Sequence, residues 1–279
     1  MNHDNDPIGG FFCPGKILTE SEARGESRGK QGKSGVAGPE TGYFDWLAAH
    51  YDRLGTILDS ARFLAHSVVL DILNVLDPPP QRILDLGCGT GLLAQQVLEL
   101  LPDAHVYGVD CSLVMLEAAR VNLADFIGRY TLAKADFRDP WEDVIETPLD
   151  AVIHYSALHH LPHHSLREVY TRLFDVLRPG GWFLHGDVIE ERLPEAVGQV
   201  GRAIRRFQME CARADLGDDG ELLDELEEVR RANQEKGLIS ELPAMPEQQV
   251  AWLLESGFEF AVRVFQDWQI SLFLARKPE

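Results

Sequence analysis

Ile83-Leu84-Asp85-Leu86-Gly87-Cys88-Gly89-Thr90-Gly91 decides how this chain is read. A short apolar run carrying one acid leads into glycines at alternate positions, and helix-forming sequence begins near Leu92. A buried strand that ends this way puts pliable backbone at its carboxyl end, where an open α/β sheet binds its ligand. Glycine suits the position because a Cβ would block a ligand resting on the main chain. The spacing is not G-x-G-x-x-G, and no Gly-Lys-Ser/Thr follows, so neither a dinucleotide fingerprint nor a triphosphate-cradling loop is written here. Taken alone, the stretch specifies a glycine-rich turn in an α/β protein and leaves the ligand open.

Outward from that loop, strand and helix alternate as a parallel sheet covered on both faces requires. The strand candidates are Arg82–Leu86, His105–Asp110, Tyr130–Ala135, Ala151–Tyr155 and Trp182–Asp187. Helices are expected over Leu92–Leu101, Leu113–Ala124 and Ser165–Leu177, the last with Leu166, Val169, Tyr170, Leu173, Phe174 and Leu177 on one face. Pro179-Gly180-Gly181 reads as the turn out of that helix. A short helix around Val250, Leu253 and Leu254 ends at Gly257, and Phe258–Phe265 and Gln269–Arg276 supply two further β runs. The fold class is therefore α/β: a Rossmann-like, mostly parallel seven-stranded sheet with an antiparallel terminal strand and helices on both faces.

Three segments flank or interrupt this core. Residues 1–40 are poor in periodic apolar positions and read as a disordered tail, its Arg24, Arg28, Lys30 and Lys33 interleaved with Glu22 and Glu26. Residues 41–80 carry apolar residues at helical spacing and read as a helical cap, stopped by Pro78-Pro79-Pro80. Residues 190–245 break the alternation with two amphipathic stretches, one through Val200, Ala203, Ile204, Phe207, Cys211 and Ala214, the other through Leu222, Leu223, Leu226 and Val229. An insertion there falls at the carboxyl edge of the sheet, as a helical lid over a substrate or as padding for a sheet face. The core is then 81–189 together with 246–279.

Composition narrows the class. The 279 residues are 45% hydrophobic, enough for one substantial core. A formal charge of −19 argues against a general nucleic-acid binder. No apolar run approaches the ~18 residues of a membrane span. No basic start precedes an apolar stretch as in a secretory signal, so a cytoplasmic protein without membrane attachment is expected. Cys13, Cys88, Cys111 and Cys211 form no C-x-x-C pair. The cluster His154, His159, His160, His163 and His164 has no carboxylate at helical spacing, so no metal site is assigned.

Acids close the next two strands. Asp110 ends the second strand about 20 residues past the glycines, where related folds place the carboxylate that binds a ribose diol. A helix-capping aspartate ahead of Leu113 is the alternative. Asp136-Phe137 ends the third strand, with an acceptor beside an aromatic face. The fourth strand runs from Asp150 through His154-Tyr155 into Ser156-Ala157-Leu158-His159-His160-Leu161-Pro162, and Leu177-Arg178-Pro179-Gly180-Gly181 follows.

This ordered set resembles the class I S-adenosylmethionine-dependent methyltransferases of small-molecule type, whose first motif is an acid followed by G-x-G-x-G. The specific motifs lie within 83–181, and the broader likeness runs from about residue 43 to the end. The resemblance implies S-adenosyl-L-methionine as cofactor, held by Asp85, Gly87, Cys88, Gly89 and Gly91 of the loop. It places Asp110 and Cys111 at the ribose, and Asp136, Phe137 and Met115 at the adenine. His154 and Tyr155, with Tyr51 from the cap, fall at the methionyl arm. Met115, Phe137 and Tyr51 read equally well as buried core, and Cys88 and Cys111 as small buried hydrophobes.

Methyl transfer is an in-line attack in which alignment and desolvation dominate, and a base is needed only when the nucleophile must lose a proton. His159 is the first candidate base, followed by His160 and by His185 on the fifth strand; a hydrogen-bonded structural histidine is the alternative for each. The implied activity is methylation of an oxygen or nitrogen of a small molecule. Two rivals remain. One is a non-methylating enzyme using the same cofactor, such as the carboxy-S-adenosylmethionine synthases that Phe265-Gln266-Asp267-Trp268 faintly resembles, or a cyclase; the other is a nicotinamide-dependent oxidoreductase. Substrate identity and oligomeric state are not written in the sequence.

Overall fold

The computed structural model describes residues 48, 51, 60–190, 195, 198–203, 206–207, 210, 221–235 and 241–279. The tail at 1–40 lies outside the described residues, as do most of the expected cap before Ser60 and much of the insertion at 190–245. Among the described residues the elements run α1 (Ser60–Val75), β1 (Arg82–Leu86), α2 (Leu92–Leu100), β2 (His105–Asp110), α3 (Leu113–Asn122), β3 (Tyr130–Lys134) and β4 (Leu149–Tyr155). Then follow α4 (His163–Val176), β5 (Leu177–Val188), α5 (Glu221–Glu235), α6 (Pro246–Glu255), β6 (Phe260–Asp267) and β7 (Ile270–Arg276).

The strands form one seven-stranded sheet in the order β3-β2-β1-β4-β5-β7-β6. Pairings among the first five strands are parallel, and β7 is antiparallel to both β5 and β6. Side chains of a strand alternate between faces, and here both faces are apolar. Leu84, Leu86, Val109, Val152, Phe183 and Phe273 pack with Leu166, Val169, Tyr170 and Leu173 of α4 and Leu253 of α6. On the opposite face Ile83, Val106, Ala151, Ile153 and Leu184 pack with Ala65, Val69 and Leu73 of α1, with Leu93, Ala94, Val97 and Leu98 of α2, and with Leu116 and Ala119 of α3. This is why the central strands read as near-continuous apolar runs.

The strand order reverses at β1 and β4, so the loops after these strands border the crevice in which doubly wound sheets bind ligands. One expectation is refined in β5. The ladder starts at Leu177, but Leu149 pairs with Leu177 and Ala151 already pairs with Trp182. The Pro179-Gly180-Gly181 excursion, with Gly180 at φ 71°, is thus a break inside the strand rather than a turn ahead of it.

Candidate active site

Four loops meet at the carboxyl ends of β1, β2, β3 and β4. The glycine loop is tied to β2 by the Gly87 and Cys88 amides, which donate to the Val109 carbonyl at 2.7 and 3.1 Å. A Cβ on Gly87 would lie 2.9 Å from Ala157 Cβ and 3.2 Å from Phe137 Cζ, so the loops after β3 and β4 both close on this residue. Gly91, at φ 77°, lies against Ala119 of α3, whose Cα would be 3.3 Å from an added Cβ. Gly89 differs. At φ 52° it needs the left-handed region, yet among the described residues an added Cβ would meet only the Tyr51 ring, at 3.9 Å. The three glycines therefore serve two purposes: Gly87 and Gly91 admit neighbouring protein, and Gly89 leaves space open.

Asp85 is 1% exposed, and its Oδ2 has no hydrogen-bond partner among the described residues. Burial, reinforced by the Asp110 carboxylate and opposed by the Ala94 amide, raises its pKa to about 7. A buried acceptor left unmade is costly, and a ligand donor at this edge would relieve it. Asp110 Oδ2 accepts the Gly89 amide at 2.9 Å, and Oδ1 accepts the Ser112 amide at 2.8 Å. Burial raises the Asp110 pKa, while the Ser112, Gly89 and Cys111 amides oppose that rise. The helix-capping alternative is only partly realised, since Ser112, not Asp110, caps α3 through the Met115 amide. Met115 is buried, and its amide donates to the Ser112 hydroxyl at 3.2 Å. Cys111 is half-buried at the tip of β2.

Asp136 is buried and engaged by Arg138, which the sequence reading passed over. Arg138 donates its amide and Nε to Oδ1 at 2.9 and 2.8 Å, and Nη2 to Oδ2 at 2.7 Å. Oδ2 keeps one acceptor position, so an adenine amine would share this carboxylate with Arg138. Tyr51 stands over the loop with the buried Arg62 guanidinium 4.8 Å from its ring centroid. Tyr155 packs its ring against His66 of α1, centroids 5.0 Å apart, and burial lowers the His66 pKa to about 4. Ser156 takes φ 56° where β4 leaves the sheet, an uncommon conformation for a non-glycine residue, and donates its amide to the Gly186 carbonyl at 2.8 Å.

Three assignments change. Cys88 turns its thiol into the core, where Sγ would be 3.0 Å from a Cβ on Gly108, so it offers the loop backbone alone. His154 is fully buried, and its Nε2 accepts the Ala157 and Leu158 amides, each at 3.0 Å. It holds the loop from beneath rather than touching a cofactor. His185 is also fully buried, and it uses both nitrogens inside the protein. Its Nδ1 faces His154 Nδ1 at 2.9 Å, and its Nε2 lies 2.9 Å from Tyr170 Oη and 2.7 Å from Gln249 Oε1. No nitrogen is left for a substrate, so His185 is not a base.

Proton accounting fixes the direction of this chain. His154 Nε2 accepts two amides, so its proton sits on Nδ1 and is donated to His185 Nδ1; His185 then carries its own proton on Nε2, toward Gln249. Burial lowers both histidine pKa values, His154 to about 3, and both rings stay neutral. His154, His185 and Asp187 place ligating atoms within 4.8 Å of one another. The ring nitrogens of both histidines are already engaged by each other, by the Ala157 and Leu158 amides, and by Tyr170 and Gln249.

His159 keeps its candidacy. Its Nδ1 lies 2.5 Å from Asp187 Oδ1, and its amide donates to Asp187 Oδ2 at 2.9 Å. Burial would raise the Asp187 pKa, but the charge and hydrogen bond of His159 hold it well below the carboxylate range. The ionised acid fixes the His159 proton on Nδ1. His160 packs behind, ring centroids 3.9 Å apart and 1% exposed. Asp187 was missed, although it ends a buried strand as Asp85 and Asp110 do.

This geometry resembles that of class I S-adenosylmethionine-dependent methyltransferase domains. The model of the methyltransferase domain family matches residues 83–181. Trans-aconitate 2-methyltransferase of Pseudomonas aeruginosa is 36% identical over 115 residues, covering 40% of this chain and 38% of that protein. The protein of the same name from Acidovorax ebreus is 29% identical over 162 residues, covering 58% and 55%. The chain thus spans about two-fifths to just over half of these relatives. Among solved structures, a DhpI–SAM–HEP complex superposes with TM-score 0.57 at 17% identity, over 89% of this chain and 100% of that one. An O-methyltransferase family protein from Burkholderia thailandensis gives 0.54 at 16%, over 88% and 74%. These two likenesses bear on the fold alone.

Proposed function

We propose that the protein is a methyltransferase that uses S-adenosylmethionine to methylate an oxygen or nitrogen of a small molecule. The observation that carries the reading is the glycine loop on which Ala157 and Phe137 close, with the buried His159–Asp187 pair following Ala157 in the same loop after β4. In this reading Asp85 and the loop take the methionyl arm, Asp110 the ribose, and Asp136, Phe137 and Met115 the adenine, with Tyr51 closing over Gly89. When bound, the cofactor supplies an electrophilic methyl group on its sulfonium. The chain's own residues align the acceptor, exclude water, and take its proton on His159 Nε2 while Asp187 steadies the resulting charge. The segment at 190–245 is proposed as the lid over the acceptor. Curated relatives named for methylation of trans-aconitate make a carboxylate oxygen one acceptor to try, although that acceptor is already ionised and would give His159 no proton to take.

Incubation with methyl-labelled S-adenosylmethionine and a panel of small carboxylates, phenols and amines tests this. Label transfer to a panel member, lost in His159→Gln, supports it. Transfer to a phenol or amine that is indifferent to His159, or a cofactor consumed without methyl transfer, would count against it; transfer to a carboxylate alone would keep the reaction and remove the role of His159.

A further inference from the structure

The loop between β3 and β4 has little support of its own. A 3-10 turn at Trp141–Val144 is its one regular element, and short backbone bonds such as Asp139 N to Asp136 O, 2.9 Å, are local. Support comes from α4. Arg172 donates Nη1 to the Phe137 carbonyl at 2.7 Å and Nη2 to the Asp139 carbonyl. It also forks onto the Glu142 carboxylate through Nε and Nη2, the latter at 2.5 Å, with its guanidinium 4.9 Å from the centroid of the fully buried Trp141 ring. One planar fork thus holds four points, at residues 137, 139, 141 and 142, of a loop that opens with Ala135-Asp136-Phe137.

We infer that Arg172 is a positioning residue for the adenine end of the cofactor site, setting Phe137 over Gly87 from a helix that does not itself border the cofactor. The inference rests on the assignment of residues 136–137 to adenine. A rigid fork is required because a lysine has no second planar edge with which to reach two carbonyls and a carboxylate together. Preorganisation of this kind acts on affinity through the ordering cost that binding would otherwise carry.

Titration calorimetry with S-adenosylhomocysteine and with 5′-methylthioadenosine, on wild type, Arg172→Met, Arg172→Lys and Glu142→Gln, tests it. Arg172→Met is expected to weaken both ligands by a similar factor, about tenfold, at a temperature where circular dichroism shows the fold intact. Arg172→Lys should recover little, Glu142→Gln should fall between, and hydrogen exchange should rise within 136–144. A merely structural role would lower the unfolding midpoint and leave both dissociation constants unmoved, which would overturn the inference. If Arg172→Met does not fold, Glu142→Gln decides by the same two readouts. Wild type that binds neither ligand would sink the adenine assignment as well, whereas binding unchanged in folded variants sinks only the role of Arg172.

Discussion

Asp110 Oδ2 accepts the backbone amide of Gly89 at 2.9 Å. A single carboxylate at the tip of β2 thus braces the glycine loop at the loop glycine that, among the described residues, has the most room for a Cβ. Asp110→Ala removes a loop brace and a ribose acceptor together, while Asp110→Asn keeps one acceptor oxygen. Affinity for S-adenosylhomocysteine should fall in the order wild type, Asn, Ala, and the alanine variant should also lose about 1–3 kcal/mol in chemical unfolding.

The loop glycines should separate by phenotype. Gly91→Ala must enter the left-handed region with Ala119 Cα 3.3 Å away, so its main cost is stability. Gly89→Ala has room, so its stability loss should stay near the ~1–2 kcal/mol of the backbone term. Its cofactor affinity should fall by a larger factor. Equal affinity losses in the two variants would refute the distinction between them.

Asp85 makes stability depend on pH with a sign opposite to that of most carboxylates. Its folded pKa of about 7 exceeds its unfolded value of 3.8, so between these limits the unfolded chain gives up the proton first. Stability from this group is present below the lower limit and is lost as pH rises toward the upper one. Asp85→Asn should therefore be more stable than wild type at pH ~8 by a few kcal/mol, a gap that closes toward pH ~4 in urea titrations.

The His154–His185 relay works in the other direction. His154 is held neutral, its pKa lowered from 6.5 to about 3, so its contribution is present above the unfolded value and is lost as pH falls below it. Wild type should lose stability with acid from pH ~6.5 downward, and His154→Gln should flatten that slope by up to ~1.4 kcal/mol per pH unit. A slope unchanged by the substitution would contradict the neutral relay.

His159 and Asp187 should act as a unit. With an acceptor in hand, His159→Gln and Asp187→Asn should each lower kcat by ~10²–10⁴, and the double variant should be little worse than either. Binding of S-adenosylhomocysteine should hold within about threefold, since neither residue is assigned to the cofactor. Additive losses would separate the two residues.

Much of this was legible from the chain because local signals and the sheet agree. Acids at the carboxyl ends of buried strands marked Asp85 and Asp110, and periodicity placed α2, α3, α4 and the strands within a few residues. Register was not legible. His154 faces His185 because β4 and β5 pair at those positions, and that match turned two apparent site histidines into a buried relay. Tyr170, Gln249 and Arg172 enter from helices whose docking no spacing rule gives. Arg138 was passed over because its partner, Asp136, was read as waiting for a ligand.

The central claim is that the glycine loop and Asp110 together form an S-adenosylmethionine site. Titration calorimetry with S-adenosylhomocysteine, on wild type and Asp110→Ala at one pH, tests it most directly. The account predicts one-to-one binding in wild type and a loss of about a hundredfold in the variant, the scale of two charge-assisted hydrogen bonds. No binding in wild type, or the same dissociation constant in both proteins, would contradict it.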